Sequence, residues 1–267
     1  MSNTTPAKSR RTRLQAGVLT VALSLSAMLG HAANEKDAKS MTQSQTKASS
    51  ASETLSAHQQ AIVPIAAFAA AGDMARLTAA LNQGLDAGMM VSDAREILVQ
   101  LYAYAGFPRS LNALGELMKV LDARKQRGIQ DALGREPSRP IPKGDALLAA
   151  GTANQTKLSG GPVQGPLFDF APIANEYLRA HLFGDIFERD NLDWQSRELA
   201  TVGMLSALPG AESQLQAHMR ISMNVGITAG QLRQLTQVLS SRVDADMARR
   251  ASKALDRHLA TLPAGKQ

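Results

Sequence analysis

Among the five histidines of this 267-residue chain, His218 stands out as a proton carrier. Imidazole is the side chain whose ordinary ionisation lies nearest neutral pH, so one ring can take up a proton and give it back within a cycle. Arg197 and Arg220 lie to either side of it in sequence, and a guanidinium can clamp a carboxylate through two parallel N–H donors. Each residue also has a plainer reading. His218 could be a hydrogen-bonded interior residue, Arg197 and Glu198 could pair with neighbouring helices, and Arg220 could be a solvated surface charge.

Other chemistry is excluded by composition. The chain has no Cys, which removes disulfides, thiolate nucleophiles and Cys-ligated metals together. No His-Glu-x-x-His or similar spacing occurs, so no metal site is expected. His58 and His258 match no motif and read as surface residues.

The elements that must carry these groups read as helices. Asp73 can cap a segment with Met74, Leu77, Ala80, Leu81 and Leu85 at three-and-four spacing, ended by Gly88. Ser92 can cap the next, with Ile97, Leu98, Leu101, Tyr102 and Ala105 on one stripe and Gly106 as the stop. Pro108 then opens a third helix at a first-turn position, where its missing N–H costs nothing, running through Leu121. In the second half the expected helices are Pro172 to about Arg189, Trp194–Ala207 behind an Asp193 cap, Ala211–Val225 ending at Gly226, one opened by the capping box Thr228-Ala-Gly-Gln231, and Asp244–Leu259. Alternation with a period of two is lacking, so strands are not expected. Between Arg124 and Pro166 the density of Pro and Gly argues against any regular element beyond one turn at Ala146–Ala150.

The N-terminal segment reads as an address. Lys8, Arg10, Arg11 and Arg13 precede the uncharged run Leu14–Leu29, and Gly30-His-Ala32 offers small residues for cleavage. Residues 1–32 are therefore expected to be a secretory signal, and Ser9-Arg-Arg-Thr-Arg-Leu14 partly resembles a twin-arginine signal. The run is short for a membrane anchor, so a periplasmic or secreted chain without stable membrane insertion is expected. Residues 33–52 are polar and read as a tether. Four of the 29 basic residues lie in the signal, which leaves 25 against 23 acidic groups, a net charge of +2. The basic balance is thus a targeting feature, and nucleic acid is not an expected partner.

Two stretches carry a family resemblance: Tyr102-Ala-Tyr-Ala-Gly-Phe-Pro-Arg-Ser-Leu-Asn-Ala113, and Arg197-Glu-Leu with His218-Met-Arg-Ile-Ser-Met-Asn-Val-Gly-Ile-Thr228. Both are similar to parts of the carboxymuconolactone decarboxylase family, which includes the alkylhydroperoxidase D-type thiol proteins. The resemblance implies an all-α fold of two degenerate, complementary helical repeats, 53–123 and 167–262 around a linker at 124–166, packed as a pseudo-dimer. It also implies a homo-oligomer, trimer or hexamer.

In the thiol branch a Cys-x-x-Cys precedes the His; counting back from His218, those positions are Ala211 and Gln214. Peroxide reduction by thiol chemistry therefore lacks its reactive groups. The decarboxylase branch relies on His, Arg and acidic residues. Loss of carbon dioxide leaves an enolate-like anion, which requires a cation for the acid, a donor for the oxyanion and a proton source. The resemblance assigns His218 as proton carrier, Glu198 as the acidic group orienting it, and Arg197 and Arg220 as the clamp. It adds Asn224 from the Asn-x-Gly-x-Thr segment. His181, in His181-Leu-Phe-Gly-Asp-Ile-Phe187, resembles an early decarboxylase segment and could reach the same pocket or simply help Phe183 and Phe187 pack. Tyr104 and Phe107 belong to an aromatic turn expected to line an apolar cavity. The function implied is a cofactor-free lyase acting on a small carboxylated lactone or keto acid. The alternatives are a peroxidase-type activity, disfavoured without Cys, and a non-catalytic oligomeric protein that binds a small molecule.

Overall fold

The computed structural model describes residues 54–263; the expected signal and tether lie outside the described residues. Among those described, the regular elements are helical, and no helix is long and apolar enough to cross a membrane.

Helix α1 (Ala57–Ala71) begins at Ser56 and Gln59, which form a reciprocal capping box, and ends at Gly72 in the left-handed region. Every residue from Ala61 to Ala70 is buried, so α1 is the central post of the fold rather than a surface helix. Its main partner is α9 (Trp194–Ser206), capped by Asp193 and buried throughout Ser196–Ser206. The two approach closely at Gly203, where a Cβ would stand 3.0 Å from the Val63 carbonyl oxygen.

Around this pair the first half supplies α2 (Met74–Asp86), capped by Asp73 as its sequence predicts, then α3 (Val91–Gln100), α4 (Tyr102–Ala105) and α5 (Phe107–Gln126). Helix α3 differs from expectation at its start. Ser92 is not the cap: the N–H groups of Val91 and Ser92 donate to the carbonyls of Ala132 and Leu133, so the chain returning after α5 satisfies them. Gly106, at φ 81°, separates α4 from α5.

The segment expected to hold no more than one helical turn, at Ala146–Ala150, carries a full helix, α6 (Gly144–Ser159). Its glycine at 151 is a packing residue, not a breaker: a Cβ there would lie 1.8 Å from the Arg179 carbonyl oxygen. After α7 (Pro166–Phe170) and α8 (Pro172–Tyr177), the chain widens into a π-helical segment, Leu178–Ile186, against which α6 packs. The single helix expected from Pro172 to about Arg189 is thus two differently wound pieces.

Helices α10 (Glu212–Asn224), α11 (Ala229–Arg242) and α12 (Ala245–Leu259) complete the chain, with the Thr228/Gln231 capping box and the Asp244 cap in place. A main core surrounds α1 and α9, and a smaller cluster of Leu158, Leu182, Phe183, Ile186, Phe187 and Ile221 lies under α6. Residues 54–263 fall within one compact unit.

Candidate functional site

Helices α9 and α10 run antiparallel, joined by the short turn at Pro209-Gly210, and Gln195 Nε2 donates to the Val225 carbonyl near their open end. On α10, Leu215, His218, Met219 and Ser222 form the buried stripe, at the spacing of one helix face. On α9, Glu198 is wholly buried. The two meet: His218 Nδ1 lies 2.7 Å from Glu198 Oε2. A carboxylate only accepts, so with Glu198 ionised the proton sits on Nδ1 and the ring's other nitrogen keeps its lone pair. Glu198 Oε1 and Ser222 Oγ are buried without a hydrogen-bond partner among the described residues.

Tyr104, from α4, presents its ring edge-on to the imidazole at 5.7 Å between centroids. Burial, and then the Glu198 charge, push its phenol above the ordinary value, so it remains a neutral hydroxyl. That hydroxyl lies 3.3 Å from Thr201 Oγ1. Thr201 in turn accepts from Gln100 Nε2 at 2.8 Å and donates to the Arg197 carbonyl at 2.9 Å.

Arg197 is not a substrate clamp in this arrangement. It is 0% exposed, and its guanidinium donates to Glu96 Oε2 at 3.0 Å, to Gln100 Oε1 at 3.3 Å and to the Arg189 carbonyl at 2.9 Å. Burial pulls it below the ordinary arginine value, and the Glu96 charge offsets that. Glu96 also receives both Arg189 Nε and Nη2, and Asn191 Nδ2 at 3.1 Å. Burial opposes ionisation of Glu96, but these donors overcome it and bring its carboxyl down to about 2. The plainer reading of Arg197, an ion pair between helices, is the one its surroundings satisfy.

Arg220 is exposed on the side of α10 away from His218, where its charge acts on His258. It cannot join Arg197 in a clamp. His258 itself is 6% exposed, not a surface residue; burial and Arg220 both lower its ionisation. Asn224 donates to the Leu158 carbonyl at 2.8 Å, tying α10 to the end of α6 rather than facing His218.

His181 and Phe107 form a different group. Tyr102 stacks on Phe107 at 4.5 Å with their planes 5° apart, and meets the His181 ring at 5.3 Å. His181 Nδ1 lies 2.7 Å from Asp185 Oδ2, and its side chain is half exposed. Beside them an apolar cleft of about 630 Å³ is lined by Tyr102, Tyr177, Leu178 and His181, among others, but not by Phe107 or His218. Tyr102 and Tyr104 therefore serve two separate places from one short helix.

The structure brings His218, Glu198 and Tyr104 of the sequence reading together. The sequence reading omits Glu96, Gln100, Arg189 and Thr201, whose bonds tie α3 to α9 across as many as 101 residues; only the unusual content of polar residues within the apolar faces of α3 and α9 hints at them.

The model of the carboxymuconolactone decarboxylase family matches residues 172–257, from α8 to α12. The matched stretch contains His181, Arg197, Glu198, His218, Arg220 and Asn224 and ends short of neither site helix; Tyr104 lies before it. No curated protein matches the chain.

Proposed function

We propose that this chain is a carboxymuconolactone decarboxylase-like protein in which His218 moves a proton on a small carboxylated lactone or keto acid, without a cofactor. The observation that carries the reading is the buried 2.7 Å contact between His218 Nδ1 and Glu198 Oε2. Glu198 fixes the ring and stabilises the imidazolium that forms when the free nitrogen takes a proton. In decarboxylation carbon dioxide leaves, the electrons of the broken C–C bond stay on the substrate as an enolate, and the imidazolium, charged with a proton from solvent, delivers it to that carbon. Tyr104, kept neutral, is the nearby hydroxyl donor suited to the developing oxyanion.

The substrate's carboxylate has no partner in Arg197 or Arg220. That favours a second reading, a non-catalytic protein that retained the site and lost turnover. Solvent-deuterium exchange into small keto acids, followed by NMR, separates the two. Exchange that His218→Gln abolishes supports proton transfer, while ligand-induced thermal shifts without exchange support the binding protein.

We also propose that α1, α2, α3 and α5 are the counterparts of α9, α10, α11 and α12, two repeats sharing a central helix pair; the support is the extensive packing of α1 on α9, since the family match covers the second half alone. A homo-oligomer fits the exposure of Leu111, Met118, Leu167 and Phe170.

A further inference from the structure

The cleft between α4, α8 and the π-helical segment has the make-up of a second ligand site, apart from His218. Its volume of about 630 Å³ falls within the range typical of small-molecule pockets, roughly 300–1,000 Å³. Its wall is apolar, built from Tyr102, Ala174, Tyr177, Leu178 and Leu182, and no Lys or Arg lines it. The parallel stack of Tyr102 on Phe107 holds the Tyr102 ring in place, so an arriving ligand need not order it.

Beside the hydroxyls of Tyr102 and Tyr177, the lining residues include one imidazole, His181. His181 Nδ1 is engaged by the Asp185 carboxylate at 2.7 Å. The carboxylate accepts, so in the unprotonated form of the ring the proton resides on Nδ1 and Nε2 is the acceptor. An occupant that hydrogen-bonds this nitrogen must therefore bring a donor. A carboxylate brings none, and Asp185 repels it. Burial and the Asp185 charge push the Tyr102 phenol up to about 12, so it too stays uncharged.

The third observation is the backbone. Leu178, Ala180, His181 and Leu182 all come from the π-helical segment Leu178–Ile186. Such windings are rare and recur at functional sites. Here the widened turn is buttressed from behind by α6, whose Gly151 admits the Arg179 carbonyl, while its front presents His181 to the cleft.

We propose that this cleft binds a hydroxyaromatic small molecule, its ring against Tyr102 and Leu178 and its hydroxyl donating to His181 Nε2. The site is independent of the proton-transfer reading at His218 and takes a different class of ligand.

Fluorescence titration of the whole chain with 2-naphthol near neutral pH, compared with naphthalene, tests it. One saturable site is expected, with 2-naphthol preferred. Ala174→Trp fills the cleft from an exposed position and should abolish binding of both probes while leaving the melting temperature unchanged. His181→Phe keeps the wall apolar, and should weaken 2-naphthol by about tenfold, the scale of one hydrogen bond, leaving naphthalene unaffected. The proposal is overturned by the absence of saturable binding, by full binding to Ala174→Trp, or by an unchanged preference for 2-naphthol in His181→Phe. It is also overturned if Ala174→Trp converts an assembly to monomers in sedimentation while the parent chain binds no probe, because the cleft is then an interface.

Discussion

His218 and Glu198 stand 20 residues apart in sequence and join two antiparallel helices through a single hydrogen bond, Nδ1 to Oε2, closed off from solvent on the carboxylate side. Everything proposed for catalysis depends on that bond, and so does part of the stability.

Glu198→Gln replaces the acceptor with an amide of the same shape. Proton exchange into a keto acid should fall about 10²-fold or more, the usual scale of general acid–base catalysis, with the melting temperature little changed. Glu198→Ala should additionally cost about 1–3 kcal/mol in urea unfolding, since it leaves a buried ring nitrogen without a partner. Equal activity in Glu198→Gln and the parent chain would reduce the pair to an interior contact.

Glu96→Gln removes the countercharge of an arginine that is entirely buried. An uncompensated charge of that kind typically costs about 3–5 kcal/mol, so a large drop in the urea midpoint is expected. A drop of under about 1 kcal/mol would mean that Gln100 and the Arg189 carbonyl suffice to hold Arg197.

The same carboxylate sets an acid dependence. Glu96 is held at about 2 against an ordinary 4.5, so the folded state binds its proton less readily than the unfolded chain does. Its stabilising contribution is complete above about 4.5 and disappears as pH falls through about 2. Stability measured across that window should decline more steeply in the parent chain than in Glu96→Gln. Parallel curves would contradict the assignment.

Two glycine substitutions should have opposite signs. Gly151→Ala drives a methyl into the Arg179 carbonyl and should destabilise by at least the 1–3 kcal/mol usual for overpacking. Gly115→Ala, within α5 and with nothing within 4 Å of the added Cβ, should stabilise by about 0.5–1 kcal/mol. Thermal melts of both variants check the pair.

Peroxide consumption with any thiol reductant should not exceed background, because a chain without Cys has no sulfenate to form. Turnover in a peroxide electrode assay would contradict this.

Much of the architecture is legible in the sequence because its signals are local. Asp73, Asp193 and Thr228 each cap the helix their position predicts, and the apolar stripe that follows fixes the buried face. Where the sequence misleads, the deciding partner is distant. Gly151 looks like a breaker until Arg179 is beside it, and Ser92 looks like a cap until Ala132 and Leu133 supply the carbonyls. The site divides in the same way. His218 and Glu198 are found through the motif, but Arg197 looks free to bind an acid because Glu96, its partner, lies a hundred residues earlier. Arg220 fails for a simpler reason: two residues on an α-helix turn about 200°, which puts it on the opposite side from His218.

The all-round apolar character of α1 also bears on how the protein is made. The run Ala61–Ala70 is buried mainly by α9, which starts only at Trp194. At a synthesis rate of roughly 5–20 residues per second, the first helix waits on the order of ten seconds for its cover. During that interval it is the greasiest part of the nascent chain, with no surface of its own to turn towards water. The central post of the finished fold is thus in place long before its main partner is made.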